Sequence, residues 1–453
     1  MQILGRAAAI AFALSLGFAA PAARAQSLAD TLMNAYESSG LLTQNRALLR
    51  AADEDVAQAV SQLAPIISWT ANAQVTDPRP IDGDFLTTSL GLSAQLLIYD
   101  GGATQTAIAA QKETVLATRA ELRGIEQDVL LRAVEAHLNI RRASEFVQLR
   151  RNNVRLITEQ LRAARDRFEV GEVTRTDVSL AEARLASARG NLASAEGDLA
   201  QAIEEYIAAV GTRPGTLGAV QPAQIGYDQA AAKAFAVRNH PSIEAAQHQV
   251  AAAELNIQRA EAALRPNVNL QGNIGLDDDF NSTESLSLSL SGPISQGGRL
   301  ASSIRQAMAR RDAARAGLHI SRQQIEQQVG NAYALLAVAR ASAEATDRQV
   351  RAAQVAFDGV REEATLGART TLDVLDAEQE LFDARTALIS AQIDATLATY
   401  RVLAAMGLLT VDRLNLGIQT YDPAAYYNLV EDAPLGQSDR GRALDRVLRS
   451  IGD

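Results

Sequence analysis

Apolar and polar positions alternate with a period of two in three stretches of the chain, and step by three and four residues through most of what lies between. Leu90, Leu92, Ala94 and Leu96 alternate with Ser89, Gly91, Ser93 and Gln95. Val268, Leu270, Gly272, Ile274 and Leu276 alternate with Asn267, Asn269, Gln271 and Asn273, and then Leu286, Leu288 and Leu290 with Ser285, Ser287 and Ser289. One apolar face and one small polar face predict β-strands, arranged as two hairpins. Each run is about ten residues, the length of a strand that crosses a membrane at a tilt. A half-buried soluble sheet alternates in the same way. Against that reading stand a polar face of uncharged Asn, Gln and Ser, where water-facing strands usually carry Lys and Glu, and acidic, polar loops at residues 77–84 and 277–284.

The period changes between the hairpins. Ala136, Ile140, Ala143, Val147, Arg150, Val154, Ile157, Leu161, Ala164 and Phe168 step four, three, four, three, the seam of a coiled coil. No Pro interrupts residues 103–168, so one helix of about 100 Å is expected at roughly 1.5 Å per residue. A partner seam follows the turn at Gly171, running through Val178, Ala181, Leu185, Ala188 and Leu192 to Ala209. Large side chains and Ala alternate along it, which lets antiparallel helices approach closely. A further helix is expected before each hairpin, over residues 27–64 in the first case.

The chain repeats itself at an offset of 196 residues. Ile98-Tyr99-Asp100-Gly101-Gly102 returns as Ile294-Ser295-Gln296-Gly297-Gly298, Gly171 as Gly367, Asp177-Val178 as Asp373-Val374, and Ala208-Ala209-Val210-Gly211 as Ala404-Ala405-Met406-Gly407. The unit is helix, β-hairpin, long helix, tight turn, helix. This divides the chain into a first repeat over 26–211, a connecting segment over 212–240, a second repeat over 241–407 and a C-terminal segment with a tail over 408–453. The two non-repeated stretches lack clean periodicity and are expected to pack around the helical part. The charged tail from Pro434 is expected to be mobile.

Composition sharpens the picture. The chain is 47% hydrophobic and only 4% aromatic, with Ala supplying much of the apolar content, as long packed helices require. Residues 1–25 read as a secretory signal: Arg6, an apolar run from Ala7 to Ala20, and Ala23-Arg24-Ala25 as the cleavage site. Loss of Arg6 and Arg24 with no acid takes the formal net charge from −10 to −12, and no basic run offers a footprint for nucleic acid. There is no cysteine, hence no disulfide and no lipid anchor on a cysteine. No later segment is apolar enough for a membrane-spanning helix, so entry into a membrane would be through β-strands. Four strands cannot close a barrel, and an open edge in lipid strands backbone groups without partners. Oligomerisation is then required, and three copies give the smallest barrel with a water-filled lumen.

Enzyme chemistry finds little to build on. The four histidines, His137, His240, His248 and His319, form no metal-binding pair, and Gly101-Gly102 and Gly297-Gly298 lack the spacing of a phosphate-binding loop. No cofactor, metal site or catalytic residue is expected. His137 is read as a packed side chain and the Gly pairs as sheet-to-helix transitions.

The duplicated unit, the turns Val170-Gly171 and Leu366-Gly367, the run Gly367-Ala368-Arg369-Thr370-Thr371-Leu372-Asp373-Val374-Leu375-Asp376 and the matching Thr176-Asp177-Val178 resemble the TolC family of outer-membrane efflux and secretion channels. The resemblance covers residues 26 to about 430. It implies an α+β membrane protein: a homotrimer with a transmembrane β-barrel of four strands per protomer and a long α-helical coiled-coil barrel in the periplasm. It also implies a periplasmic adaptor (membrane fusion) protein, an inner-membrane pump of RND or ABC type, outer-membrane lipid, and an exit duct for drug efflux or type I protein secretion. By position, Asp373 and Asp376 would form an acidic ring at the constriction, and Arg369, Thr176 and Asp177 would hold neighbouring helices shut. Val170, Gly171, Leu366 and Gly367 would be the tips that meet the adaptor. The family can place a Tyr at the position of Ala364, so that contact is absent here.

A threefold ring of carboxylates attracts cations and resists full ionisation, which supports the gate on physical grounds. An Asp near a helix start also stabilises the helix dipole or caps it, and both readings stand for these residues. A soluble periplasmic coiled-coil scaffold or adaptor is the alternative for the whole chain. It accounts for the helices and leaves the hairpins without lipid.

Overall fold

The computed structural model describes residues 26–75, 86–436 and 438–452. The expected signal over residues 1–25 and the acidic loop at 77–84 lie outside the described residues. The elements in chain order are α1 (Leu28–Ser38), α2 (Gly40–Ser61), β1 (Ile66–Val75), β2 (Leu86–Tyr99), α3 (Ala103–Glu169), α4 (Arg175–Val210), α5 (Gln229–Asn239), α6 (Pro241–Ala262), β3 (Asn267–Asp277), β4 (Ser282–Ser291), α7 (Arg299–Thr365), α8 (Thr371–Ala405), α9 (Val411–Leu414), α10 (Tyr427–Val430) and α11 (Asp439–Gly452). Among the described residues no helix is long and apolar enough to cross a membrane.

Contacts divide the chain into two compact units. One holds the residues up to Ser38, Leu130–Ala223 and Ala337–Tyr400, and the other Ser39–Val129, Gln224–Leu336 and Arg401 onward. Each unit draws on both halves of the sequence. The 67-residue helices α3 and α7 supply residues to both.

The first unit is built on two coiled-coil seams that match at the repeat offset. Ile157 and Leu161 of α3 bury against Ala181, Leu185 and Ala188 of α4, flanked by Val154 and Val178. Ala353 and Phe357 of α7 bury against Leu381 and Ala384 of α8, flanked by Val350, Val374 and Ala377. Small Ala at alternate contacts permits the close approach, and the larger partner fills the space between. His137 is fully buried here, its Nδ1 2.8 Å from Thr31 Oγ1, which lies 3.1 Å from the Tyr206 hydroxyl. This is a packing role.

The second unit contains the sheet. Its four strands run antiparallel in the order β1-β2-β3-β4, so β2 and β3 pair the two hairpins and β1 and β4 are edges. Register places Leu96, Leu270 and Leu288 on one face and Gln95, Gln271 and Ser287 on the other. The polar face is stitched by hydroxyl and amide contacts, Ser68 to Ser93 at 2.7 Å and Asn273 to Ser285 at 3.3 Å among them. The Gly pairs turn sheet into helix with positive φ at Gly101 (71°), Gly102 (90°), Gly297 (57°) and Gly298 (83°), and the Asp100 carboxylate accepts the Gly102 and Thr104 amides at 2.9 and 2.6 Å.

Two sequence expectations are corrected, for the helix before the first hairpin and for the tail, and the connecting segment gains an element that the sequence reading did not place. The helix expected over 27–64 is broken, because Ser39 is extended and its hydroxyl accepts the Leu42 amide at 3.2 Å, starting a new helix, while the Ser38 hydroxyl donates to the Val210 carbonyl at 2.8 Å. The connecting segment 212–240 contains a regular helix, α5, started by the Asp228 carboxylate capping the Ala231 amide at 2.7 Å. The tail is an ordered amphipathic helix, α11. Its Leu444 buries with Ala57, Tyr426 and Val430. Apolar residues at Leu444, Val447 and Leu448 fall on one helical face despite the charged composition.

Candidate functional site

Every candidate gate and tip residue lies in the first unit, at the α3–α4 and α7–α8 turns. The two turns are built alike. The Gly171 amide donates to the Phe168 carbonyl at 3.0 Å and the Glu172 amide to the Arg167 carbonyl at 2.9 Å. Gly367 donates to Ala364 at 3.1 Å and Ala368 to Glu363 at 2.9 Å. Both glycines are left-handed, with φ of 80° and 77°, a conformation that closes a helix and that a side chain disfavours. Beside them Val170 and Leu366 are 71% and 79% exposed, far more than large apolar side chains held by their own chain.

The next helices begin with matching caps. Asp177 N donates to Thr174 Oγ1 at 3.3 Å, while the Thr174 backbone N–H and hydroxyl donate to Asp177 Oδ2 at 2.9 and 2.8 Å. Asp373 repeats this with Thr370 at 3.2, 2.9 and 2.8 Å. Each pair satisfies helix-terminal donors reciprocally. The backbone and hydroxyl donors of Thr174 and Thr370 hold the two carboxyls below the usual carboxylate range. Capping is therefore a role that the chain alone gives Asp177 and Asp373.

Asp376 and Arg369 have other partners. Asp376 Oδ1 accepts from Arg184 of α4 at 2.8 Å, with both side chains more than a third exposed. Arg369 pairs with Glu363 at 2.8 Å across its own turn. Thr176 is exposed in the first turn of α4. Among the described residues no hydrogen bond or ion pair joins Arg369 to Thr176 or Asp177, so the chain does not bring these three together by itself.

The neighbourhood also contains a group that sequence reasoning missed. Glu378 of α8 is 4% exposed and accepts from Asn153 Nδ2 at 3.2 Å and Gln160 Nε2 at 2.7 Å, both on α3. Burial pushes its carboxyl up to about 7, against the lowering donated by Gln160 and Asn153. Its repeat counterpart Glu182 lies on the surface, paired with Arg165 at 2.6 Å, so the repeat gave no warning. The available signal was Asn153 and Gln160, two amides seven residues apart on one helical stripe. Among the described residues no group of three His, Cys, Asp or Glu could hold a metal ion.

Comparison with known proteins agrees with this architecture. The sequence profile described as "Outer membrane efflux protein" matches residues 31–212 and 235–408. The outer membrane efflux protein BepC of Brucella suis biovar 1 is 35% identical over 424 residues, covering 92% of each chain. The alkaline protease secretion protein AprF of Pseudomonas aeruginosa is 25% identical over 369 residues, covering 77% of this chain and 76% of its own. Among solved structures, the outer membrane protein VceC of Vibrio cholerae shares the fold at a TM-score of 0.72 and 21% identity, over 84% of this chain and 96% of its own. The profile covers both helical hairpins and both β-hairpins, and with them the strands that a soluble scaffold leaves unexplained. The chain belongs to the outer membrane efflux protein family, whose members are outer-membrane channels and not enzymes.

Proposed function

We propose that three copies of this chain close into one conduit, a twelve-stranded barrel in the outer membrane joined to a twelve-helix periplasmic tunnel. The observation that carries the reading is the sheet: four strands with an apolar and an uncharged polar face, and edges at β1 and β4 that have no partner among the described residues. In hydrocarbon each unpaired backbone group costs several kcal/mol, so the edges must pair with other copies. Twelve strands leave a lumen where eight would fill with their own side chains.

In this assembly the turns carrying Val170, Gly171, Leu366 and Gly367 dock a periplasmic adaptor (membrane fusion) protein, and an RND- or ABC-type inner-membrane pump drives cargo into the duct. Asp373 and Asp376 form the acidic constriction, while Arg369, Thr176 and Asp177 link neighbouring copies in the closed state. BepC is named for efflux and AprF for secretion of an alkaline protease, which supports either duty for this chain, with the pump making the choice.

The test is location and assembly. Fractionation should recover the chain in the outer membrane as a trimer, and recovery as a soluble monomer would overturn the reading. Leu288→Arg places a charge on the lipid face at a cost of about 2 to 4 kcal/mol near the bilayer midplane and should reduce trimer yield. Ser287→Arg, on the opposite face, should be tolerated, and equal losses would show that the faces are reversed.

A further inference from the structure

We infer that Glu378 is a positioning residue for the gate: its buried carboxyl group, held by Asn153 and Gln160, fastens the start of α8 to α3, and it does so best when uncharged. The inference rests on the reading of Asp373 and Asp376 as the constriction. Glu378 lies two residues beyond Asp376 and five beyond Asp373, so whatever fixes it fixes the turn of α8 that aims them.

The site buries a carboxyl group without a counter-charge. Both carboxyl oxygens face amide N–H donors, from Asn153 at 3.2 Å and Gln160 at 2.7 Å, and neither partner carries charge. The two N–H donors favour the ionised form, but no cation stands among the partners of the carboxyl group, so ionisation leaves a buried charge without a counter-charge, and burial outweighs the donors.

Charged groups on the surrounding helices are committed elsewhere. On α4, Arg184 holds Asp376 and Glu196 is paired with Arg151 of α3. On α3, Arg150 stacks 4.2 Å over the Phe382 ring and is drawn to Asp383, which accepts from Gln379. On the α7 side, neutral Gln349 donates to Glu380 at 3.4 Å and Arg385 donates to Gln354 at 2.6 Å. Among the described residues burial raises the proton affinity of Glu378 while Gln160 and Asn153 lower it, leaving it near 7.

Separating α8 from α3 exposes the group to water, where a glutamate titrates near about 4.3. The seam is therefore favoured by protonation below that value, and its advantage declines until pH passes the folded-state value near 7. Raising the pH from 6 to 8 should shift the balance between fastened and released seams about tenfold toward release.

The experiment is basal conductance of the purified full-length trimer in planar bilayers at pH 6 and pH 8, with cation-to-anion permeability read in the same records. The wild-type channel should conduct more at pH 8, by up to about tenfold. Glu378→Gln keeps shape and hydrogen bonding without a titratable proton, and should stay closed at both pH values. Glu378→Ala should conduct more at both. A pH profile that survives in Glu378→Gln, or no pH dependence in the wild type, overturns the inference. The gate reading fails separately: Asp373→Asn/Asp376→Asn should change ion selectivity while keeping the pH profile. A flat Glu378→Gln profile together with unchanged selectivity in that double variant would leave the seam intact and remove the acidic ring.

Discussion

The two helical turns of this protein share a backbone and differ in charge. Gly171 and Gly367 close their helices through the same two hydrogen bonds, and Thr174–Asp177 and Thr370–Asp373 start the next helices with the same reciprocal cap. Beyond the cap the repeats diverge. Arg369 and Asp376 stand where the first repeat has Val173 and Leu180, and buried Glu378 stands where it has exposed Glu182. Over residues 150–190 there are nine Arg against six acids, and over the matching 346–386 five Arg against nine acids. Duplication supplied two hairpins alike in backbone and unlike in charge, one basic and one acidic, and in the proposed assembly the acidic one lines the pore while the basic one braces it. Arg184 holding Asp376 at 2.8 Å is that division of labour within one chain.

The largest effect should come from neutralising the acidic turn. Asp373→Asn/Asp376→Asn removes up to six carboxylates from the axis of a trimer, and should lower cation selectivity and block by multivalent cations several-fold in planar bilayers. Asp177→Asn, equivalent in its cap, should change selectivity little. Equal effects would mean that both turns line the constriction and that the comparison is wrong.

A smaller effect should follow from the arginine. Arg369→Ser releases Glu363 and, in the proposed gate, the link to a neighbouring copy, and should raise basal conductance while leaving selectivity to the aspartates. The same side chain grafted onto the first turn as Val173→Arg should not close the channel further, because Glu172 and Glu169 there lie on a turn without an equivalent of Asp376. Unchanged conductance in Arg369→Ser would confine that arginine to its pair with Glu363.

Much of this could be read in the sequence. The strand faces, the coiled-coil contacts Val154, Ile157, Leu161, Val178, Ala181, Leu185 and Ala188, and both turns follow from periods of two and of three and four, because burial of one face sets those periods. The break at Ser39 and the helix start at Asp228 were hidden because a capping side chain acts through a single residue, too short to disturb a period. Helix α11 was hidden by composition, since its charges mask five apolar and small positions on one face. Glu378 was illegible for a different reason. A glutamate in a helix reads as a surface residue, and only the arrival of Asn153 and Gln160 from another helix turns it inward.

The smallest effect, and the one that most sharpens the comparison, concerns the shared cap. Thr174→Ala and Thr370→Ala each remove the hydroxyl that accepts the Asp177 or Asp373 amide, and should cost about 1 kcal/mol of local helix stability. If the two turns are equal as structure, amide exchange in the first turn of α4 and of α8 should quicken to a similar degree in the two variants. Acid provides an independent check. Both carboxyls sit below the ordinary carboxylate range in the folded chain, held by donors of Thr174 and Thr370. Their contribution is therefore complete above the unfolded value, near about 3.9, and is lost as pH falls through the lower folded value. Between pH 6 and 8 the caps should stay unchanged, whereas the Glu378 seam responds in that interval. A loss of protection at both caps between pH 6 and 8, with the base-catalysed rise in intrinsic exchange divided out, would show that seam and cap are one coupled unit. A loss of protection only at α8 would tie the seam to the turn of the proposed gate and leave the first turn independent of it.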